Sequence, residues 1–436
     1  MFFGKTDRSV ERYLPITLPS FSSCALIALC YNVSHRPKGG FVVSHLIQNN
    51  AIYIYFQPIV SIRSAKVIGV EALMRAHDQH NEPLSPIFVF DQAKKEHLSF
   101  ELDKYARTKA LETFKPLLDA NKELLLFLNF ESHLLDSKIS FDDFAFCSLA
   151  NDFGIPPSHI VIEIKEYQIE DTERLKQFCD FYKERGFLIA LDDFGAGNAN
   201  FDRISTVRPH IVKVDRSLVF NVHLNFIHKE ILKSIANMCF NIGALVLAEG
   251  VEEEEEILRS LKLDIDLFQG FWFARPSGAM FDKALLDEKI IHIGARHTQN
   301  VKSSMQRKEI LIESAKAYTH AIIETITHKY QPDLFAFLKE FEIIEAIYCI
   351  DAQTGIQEGN TIISADTNEF FQPARNGDNH ALKEYFYITK ESKRGNYLSQ
   401  KYISRASGRM CRTFAQKFAH EGKESILCLD LKVQTL

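Results

Sequence analysis

The chain has 436 residues, of which 46% are hydrophobic and 25% charged, with a formal net charge of -6. That length exceeds the usual ceiling for one hydrophobic core, and the balance is globular, which excludes a disordered chain or a membrane bundle and predicts two domains. No long basic tract exists to drive nucleic-acid binding, so an anionic ligand would have to be held by a few placed groups and metal ions.

Residues 1–44 read as an N-terminal extension. Its apolar patch, 24–30, is far too short to span a bilayer and is not placed as a signal-peptide core. The eight cysteines are scattered, without a CxxC pair or a Cys/His cluster at zinc spacing, which predicts reduced thiols in a cytoplasmic protein.

From Ala51 one theme repeats: a short apolar, β-branched run, a polar residue, then a helical segment. The runs are "IYIYFQPIV", "VIGVEAL", "LLLFLN", "IVIEI", "FLIALDD", "IVKVD" and "ALVLAEG", and stretches such as 171–185 and 225–240 are patterned as crossover helices with one buried face. Strands alternating with helices predict a mainly parallel sheet covered on both faces. Seven or eight such units over roughly 240 residues have the size of a TIM-like (β/α)₈ barrel, whose active site gathers at the C-terminal ends of its strands. A doubly wound sheet is the rival fold, but "QPIVSIRS" after the first strand is no glycine-rich phosphate loop.

After Ala274-Arg275-Pro276 the pattern changes. Residues 286–330 form a helical linker, in which "QRKEILIESAKAYTHAIIETITHKY" reads as one long amphipathic helix. "QPDLFAFLKEF" is a second, short helix. The runs "IIEAIYCID", "KEYFYIT", "NYLSQKYIS", "MCRTFAQKFA" and "SILCLDL" then read as strands, so 331–436 is expected to be a small α+β domain around an antiparallel sheet.

At the strand ends of the first domain stand Glu71, Asn129, Glu163, Asp192 with Asp193, Lys213, Glu249 and, after "IDLF", Gln269. Five carboxylates and an amide are hard oxygen ligands that suit Mg²⁺ or Mn²⁺ rather than zinc. The adjacent aspartates of "FLIALDDFGAGNANF" would repel, unless one carboxylate bridges two cations and its neighbour holds the second. Two such cations about 3.5 to 4 Å apart are the usual clamp for phosphodiester hydrolysis. Lys213 fits as a cation aimed at the attacking water or the phosphate. Any one of these acids alone would more often be a helix N-cap; six ligands at the mouth of one barrel are not explained that way. Residues 253–256 in "EGVEEEEE" read as a solvated first helical turn favoured by the macrodipole.

At these residues the first domain, about 45–285, resembles the EAL domains, the cyclic-di-GMP phosphodiesterases. The likeness rests on "YFQPIVSIRSAKVIGVEALMR" with Glu71-Ala72-Leu73, "LNF" at Asn129, "IEIKE" from Glu163, "LDDFGAG", "VKVDRS", "AEGVE" and "QGFWFARP". It implies a barrel that binds two divalent cations, Mg²⁺ or Mn²⁺, and opens cyclic di-GMP to linear pGpG, acting as a homodimer. By the same resemblance Glu71, Asn129, Glu163 and Asp192 would hold the first metal, and Asp192, Asp193 and Glu249 the second. Lys213 and Gln269 would position the water, with Glu71 and Glu249 also in the catalytic set; Gln57, Leu73, Arg75 and Asp215 would contact substrate, and Glu166 would steady the loop after Asp193. Two features depart from the family pattern: "GAGNAN" puts Ala196 and Asn198 where threonine and an aromatic residue are usual, and Phe271 replaces a tyrosine.

The stretch "NYLSQKYISRASGRMCRTFAQKF" with "ESILCLDL" resembles the second half of a PAS-like or Cache-like sensor domain, with Tyr385, Tyr387, Tyr402, Arg405 and Asp430 as the residues to line a pocket for a small-molecule ligand. The expectation is a cytoplasmic phosphodiesterase regulated by its C-terminal domain, with no nucleic-acid partner and no membrane span. The alternative is a catalytically inactive cyclic-di-GMP receptor that signals to a partner protein.

Overall fold

The computed structural model describes residues 43–136, 139–165, 171–197, 201–278, 281–328, 334–364, 370 and 372–433. Nearly all of the N-terminal extension, together with Glu166 and Asn198, lies outside the described residues. The chain divides into two compact units between Thr298 and Gln299.

In the first unit the strands are β1 (Ile52–Ser61), β2 (Lys66–His77), β3 (Pro83–Leu84), β4 (Leu125–Phe130), β5 (Ile160–Lys165), β6 (Leu188–Phe194), β7 (Ile211–Val214), β8 (Leu245–Ala248) and β9 (Leu267–Phe268). Their order is β1-β9-β8-β7-β6-β5-β4-β2-β3, and β1 also pairs with β2, so eight strands close into a barrel with β3 hanging on β2. Pairings from β2 through β9 in the ring are parallel. β1 is antiparallel to both its neighbours, which corrects the regular (β/α)₈ expectation. The cause is short: only residues 62–65 separate β1 from β2, too few for the helical crossover that parallel neighbours need.

The crossover helices carry their own boundary signals. Asp171 accepts from Arg174 N ahead of Thr172–Glu184, and Asn225 accepts from His228 N ahead of Phe226–Ile242, which ends on Gly243 at φ 79°. Helix Glu254–Leu261 opens with a capping box between Glu253 and Glu256. Here the sequence expectation needs correction, because Glu256 is fully buried. Its carboxylate accepts from the amides of Asn221, Glu252 and Glu253 at 2.9, 2.9 and 3.1 Å, tying the helix to the loop after β7.

Across the barrel's interior Ile59, Phe127, Val161, Ala190, Ile211, Leu247 and Leu267 form one apolar cluster, one residue from each of seven strands. At the eighth strand the place is taken by Gly69, where a Cβ would lie 2.8 Å from the Phe127 ring.

Within the first unit the helix Lys283–His328 buries Leu286, Ile290 and Ile293 at helical spacing, and within the second it buries Ala315 and Ile322. The second unit holds β10 (Ile344–Asp351), β11 (Gln357–Ile363), β12 (Asn396–Leu398), β13 (Tyr402–Ile403), β14 (Met410–His420) and β15 (Lys423–Lys432) in an antiparallel sheet of order β11-β10-β15-β14-β12, with β13 on β14. "KEYFYIT", read as a strand, is the helix Glu384–Glu391, with Tyr385, Phe386 and Thr389 on its buried face. A seven-residue run fits both periods, and burial at i, i+1 and i+4 decides for the helix. Tyr385, Tyr402, Arg405 and Asp430 line one cavity of about 850 Å³ as expected, whereas Tyr387 is 49% exposed and not among its lining residues.

Gly270, directly after β9, is a test of how tightly the ring closes. A Cβ there would stand 2.1 Å from the carbonyl oxygen and 2.3 Å from the nitrogen of Val251. Gly270→Ala is expected to destabilise the barrel by about 1 to 3 kcal/mol, the usual cost of overpacking. The protein's one tryptophan, Trp272, lies in this unit, so its fluorescence during urea unfolding reads the barrel alone. An unchanged midpoint would refute the close approach.

Candidate active site

The period of two along a strand builds the site. Two residues beyond the apolar layer, on the same inward face, lie Glu71 (β2), Asn129 (β4), Glu163 (β5), Asp192 (β6), Lys213 (β7), Glu249 (after β8) and Gln269 (after β9). On the reversed β1 the same step runs backwards, from Ile59 to Gln57, which pairs directly with Glu71. The fold therefore brings together in one layer the polar residues that the sequence placed at separate strand ends.

Lys213 is 1% exposed. Its Nζ lies 2.6 Å from Glu163 Oε1, 2.8 Å from Glu249 Oε1, 2.9 Å from Asp192 Oδ1 and 3.8 Å from Glu71 Oε2. Burial alone would lower the pKa of this amine, but the surrounding carboxylates of Asp192, Glu163, Glu249 and Glu71 raise it well above the ordinary value. The acids respond in kind. Burial, reinforced by neighbouring negative charges, pushes Glu163 and Glu249 well above the usual carboxylate range despite the lysine.

The aspartate pair poses a geometric problem, since successive strand residues point to opposite faces. Asp193 solves it with φ 55°, in the left-handed region. The β6–β7 register slips there, from Leu191↔Val212 to Phe194↔Val214, so Asp192 and Asp193 together stand opposite Lys213. Two residues against one is a β-bulge, and it re-aims the second carboxylate. Both aspartates are buried, and ligand oxygens of Asp192, Asp193 and Glu249 lie within 4.8 Å of one another. Lys165, which the sequence reading passed over, brings its Nζ to 3.9 Å from Asp193 Oδ2. The parallel register of β5 and β6, a property of the folded sheet, sets it beside Asp192.

A chain of amides closes the ring. Gln269 Nε2 donates to Glu71 Oε2 at 2.6 Å and contacts Gln57 Oε1 at 3.1 Å, Gln57 Nε2 donates to Ala274 O, and Asn129 Nδ2 donates to Glu71 Oε1 at 2.8 Å. Arg75, on β2, donates to Met74 O and stands over the Tyr55 ring, and Leu73 pairs with Tyr55 across the β1–β2 hairpin. Asp215 caps the turn after β7 by accepting from Ser217 N, and its Oδ2 is buried with no hydrogen-bond partner.

The donor set fits divalent cations. Every ligand is a hard oxygen, and Glu163 Oε2 is buried without a hydrogen-bond donor, an arrangement that costs free energy unless a cation completes it.

The sequence profile of the EAL domain matches residues 42–276. The chain belongs to the EAL-domain family. It is 26% identical over 377 residues to the uncharacterized EAL-domain containing protein YkuI of Bacillus subtilis, covering 83% of this chain and 90% of that one. The crystal structure of YkuI with c-di-GMP and calcium superposes with a TM-score of 0.75 at 24% identity, covering 91% of this chain and 100% of that chain, a likeness of fold. The cyclic di-GMP phosphodiesterases PdeA of Borreliella burgdorferi and RocR of Pseudomonas aeruginosa are 29% and 27% identical over 53% and 56% of this chain. The chain spans only 34% and 62% of their lengths, so its likeness to them is that of the EAL domain.

The lysine cage predicts a linkage between metal and stability in this EAL domain. Lys213→Ala leaves buried carboxylates without their counter-charge, and under chelator the barrel is expected to lose about 3 to 5 kcal/mol. Saturating Mn²⁺ should recover more stability in the variant than in the native chain. Trp272 fluorescence in urea, with EDTA and with Mn²⁺, checks this; an equal gain in both proteins would overturn it.

Proposed function

We propose that this chain is a cyclic-di-GMP-specific phosphodiesterase that hydrolyses one phosphodiester of the cyclic dinucleotide to give linear pGpG, using two divalent cations, Mg²⁺ or Mn²⁺. The observation that carries the reading is the complete polar layer, with the bulged Asp192-Asp193 pair and Glu249 converging beside Lys213. Two relatives named as cyclic di-GMP phosphodiesterases and a fold relative crystallised with c-di-GMP support it.

In this reading Glu71, Asn129, Glu163 and Asp192 would hold one cation, and Asp192, Asp193 and Glu249 would hold the other. Bound there, the cations would supply Lewis-acid charge at the phosphate and ease deprotonation of the attacking water. The chain's own groups do the rest. Gln269 is fixed through Nε2 by Glu71 and Gln57, while its Oε1 is buried without a partner and can accept a hydrogen from the water. Lys213 presents a permanent positive charge to the phosphate as negative charge grows on its oxygens. Gln57, Leu73, Arg75 and Asp215 contact the dinucleotide, Arg75 through its forked donors. Water adds to phosphorus, the P–O bond to the neighbouring ribose breaks, and that ribose oxygen leaves with a proton.

Domain boundaries of 45–285 for the barrel, 286–330 for the linker and 331–436 for a PAS- or Cache-like sensor complete the proposal. The antiparallel sheet, with an acidic residue near the end of its last strand facing a cavity, supports the sensor reading. A homodimer is supported by exposed apolar residues around helix Phe226–Ile242, among them Leu224, Ile227 and Ile231 at 76%, 61% and 41% exposure. No helix among the described residues is long and apolar enough to cross a membrane. The scattered thiols support the cytoplasm as the place of action.

Incubation with cyclic di-GMP and Mg²⁺, followed by chromatography, should yield pGpG; binding without turnover would favour the receptor alternative. Glu71→Ala and Asp192→Ala should each abolish turnover, and a tenth of the native rate in both at saturating Mg²⁺ would refute the two-metal assignment. Lys213→Ala should retain metal and lose most of kcat. By light scattering, Leu224→Glu with Ile231→Glu should convert a dimer to a monomer; a native chain that is already monomeric would remove the homodimer from the proposal.

A further inference from the structure

The cavity of about 850 Å³ in the second unit is of the size that holds small molecules. Tyr348, Tyr385 and Tyr402 bring rings to its wall, Arg405 stands at its exposed edge, and Asp430 is its buried acid. Asp430 is 4% exposed. Thr413, Tyr402 and Tyr348 donate to it at 2.8, 3.2 and 3.3 Å, and all three bonds go to Oδ1. Oδ2 accepts no hydrogen bond among the described residues, and no Lys, Arg or His among them forms an ion pair with this carboxylate.

The neighbouring strand adds to the imbalance. Ala346 pairs with Asp430 across β10 and β15, and the preceding residue, Glu345, is fully buried with no donor to either carboxylate oxygen. Burial pushes the Asp430 carboxyl up to about 6 against the pull of the three hydroxyls, with Glu345 adding to the rise. Neutral hydroxyls orient a carboxylate without cancelling its charge, and a buried charge lacking a counter-ion is costly. The cavity thus has, at its buried end, a fixed acceptor with one open oxygen, next to two tyrosines that turn their hydroxyls to the other oxygen, while Arg375, Lys383 and Lys401 join Arg405 at the exposed edge.

A bare metal ion is the poorer match, since it would need several oxygens. The other acids on the wall, Asp378 and Glu384, already accept from Arg375 N and the Tyr397 hydroxyl. We propose that this cavity binds a small organic ammonium, a protonated primary or secondary amine, with an N–H donated to Asp430 Oδ2 and its carbon skeleton against Tyr348, Tyr385 and Tyr402. The site lies within one unit and is read by binding, so it stands or falls separately from the phosphodiesterase reading.

The test is calorimetric titration of the full chain with ethylammonium chloride and with putrescine dihydrochloride, against sodium acetate, sodium chloride and calcium chloride at matched ionic strength. At least one amine should bind, one per chain, with millimolar affinity or better. Asp430→Asn should weaken it at least about tenfold, as expected for loss of a charge-assisted bond. Tyr402→Phe removes one hydroxyl while keeping the ring; it should weaken binding about threefold, and it decides the matter if Asp430→Asn fails to fold. No heat from either amine up to about 10 mM, binding of acetate or calcium instead, or amine affinity unchanged in the variants would each overturn the assignment.

Discussion

A single amine, Lys213 Nζ, stands among Glu71, Glu163, Asp192 and Glu249 inside the barrel, and the rest of the first unit is arranged around that imbalance. One positive charge cannot neutralise four negative ones, three of them buried, so the cluster must take up protons or cations. The raised carboxyls of Glu163 and Glu249 are the proton-binding answer. Divalent cations are the other. Affinity for metal is then partly the recovery of a debt that folding incurred, and it competes with protons for the same oxygens.

Backbone geometry decides how that charge is aimed. The left-handed φ of Asp193 and the register slip opposite Lys213 turn two neighbouring side chains to one side. Gly195, at φ 94°, continues the turn with a Cβ position 2.4 Å from the Leu218 side chain, so the chain leaves the bulge along a path open only to glycine. The apolar layer one step below excludes water from under the site, and the low dielectric it creates strengthens every interaction above it.

Much of this was legible in the sequence, because alternation along a strand makes a polar residue after an apolar run conspicuous. Glu71, Asn129, Glu163, Asp192, Lys213, Glu249 and Gln269 share one layer because each obeys the same two-residue step. What the sequence hid depended on contacts distant along the chain. The reversal of β1 is visible only when the gap before β2 is measured against the span of a crossover, and burial of Glu256 requires the loop at Asn221. The bulge at Asp193 is a register event between two strands, and the helix Glu384–Glu391 was hidden by a run too short to separate the two periods.

The amide chain from Gln57 to Gln269 also fixes an order of events during synthesis. These partners are 212 residues apart, and Glu71 and Gln269 are 198 apart. A nascent chain that has reached β8 still has β1 and β8 as unpaired edges, because β9 is the strand that joins them. Lys213 leaves the ribosome after Glu71, Glu163 and Asp192, so until then those carboxylates have every reason to stay in water. Open edges and a charged, hydrated interior make the unfinished barrel a species that pairs promiscuously. Residues 267–269 act as a keystone, and until they emerge the edges of β1 and β8 stay open to wrong partners.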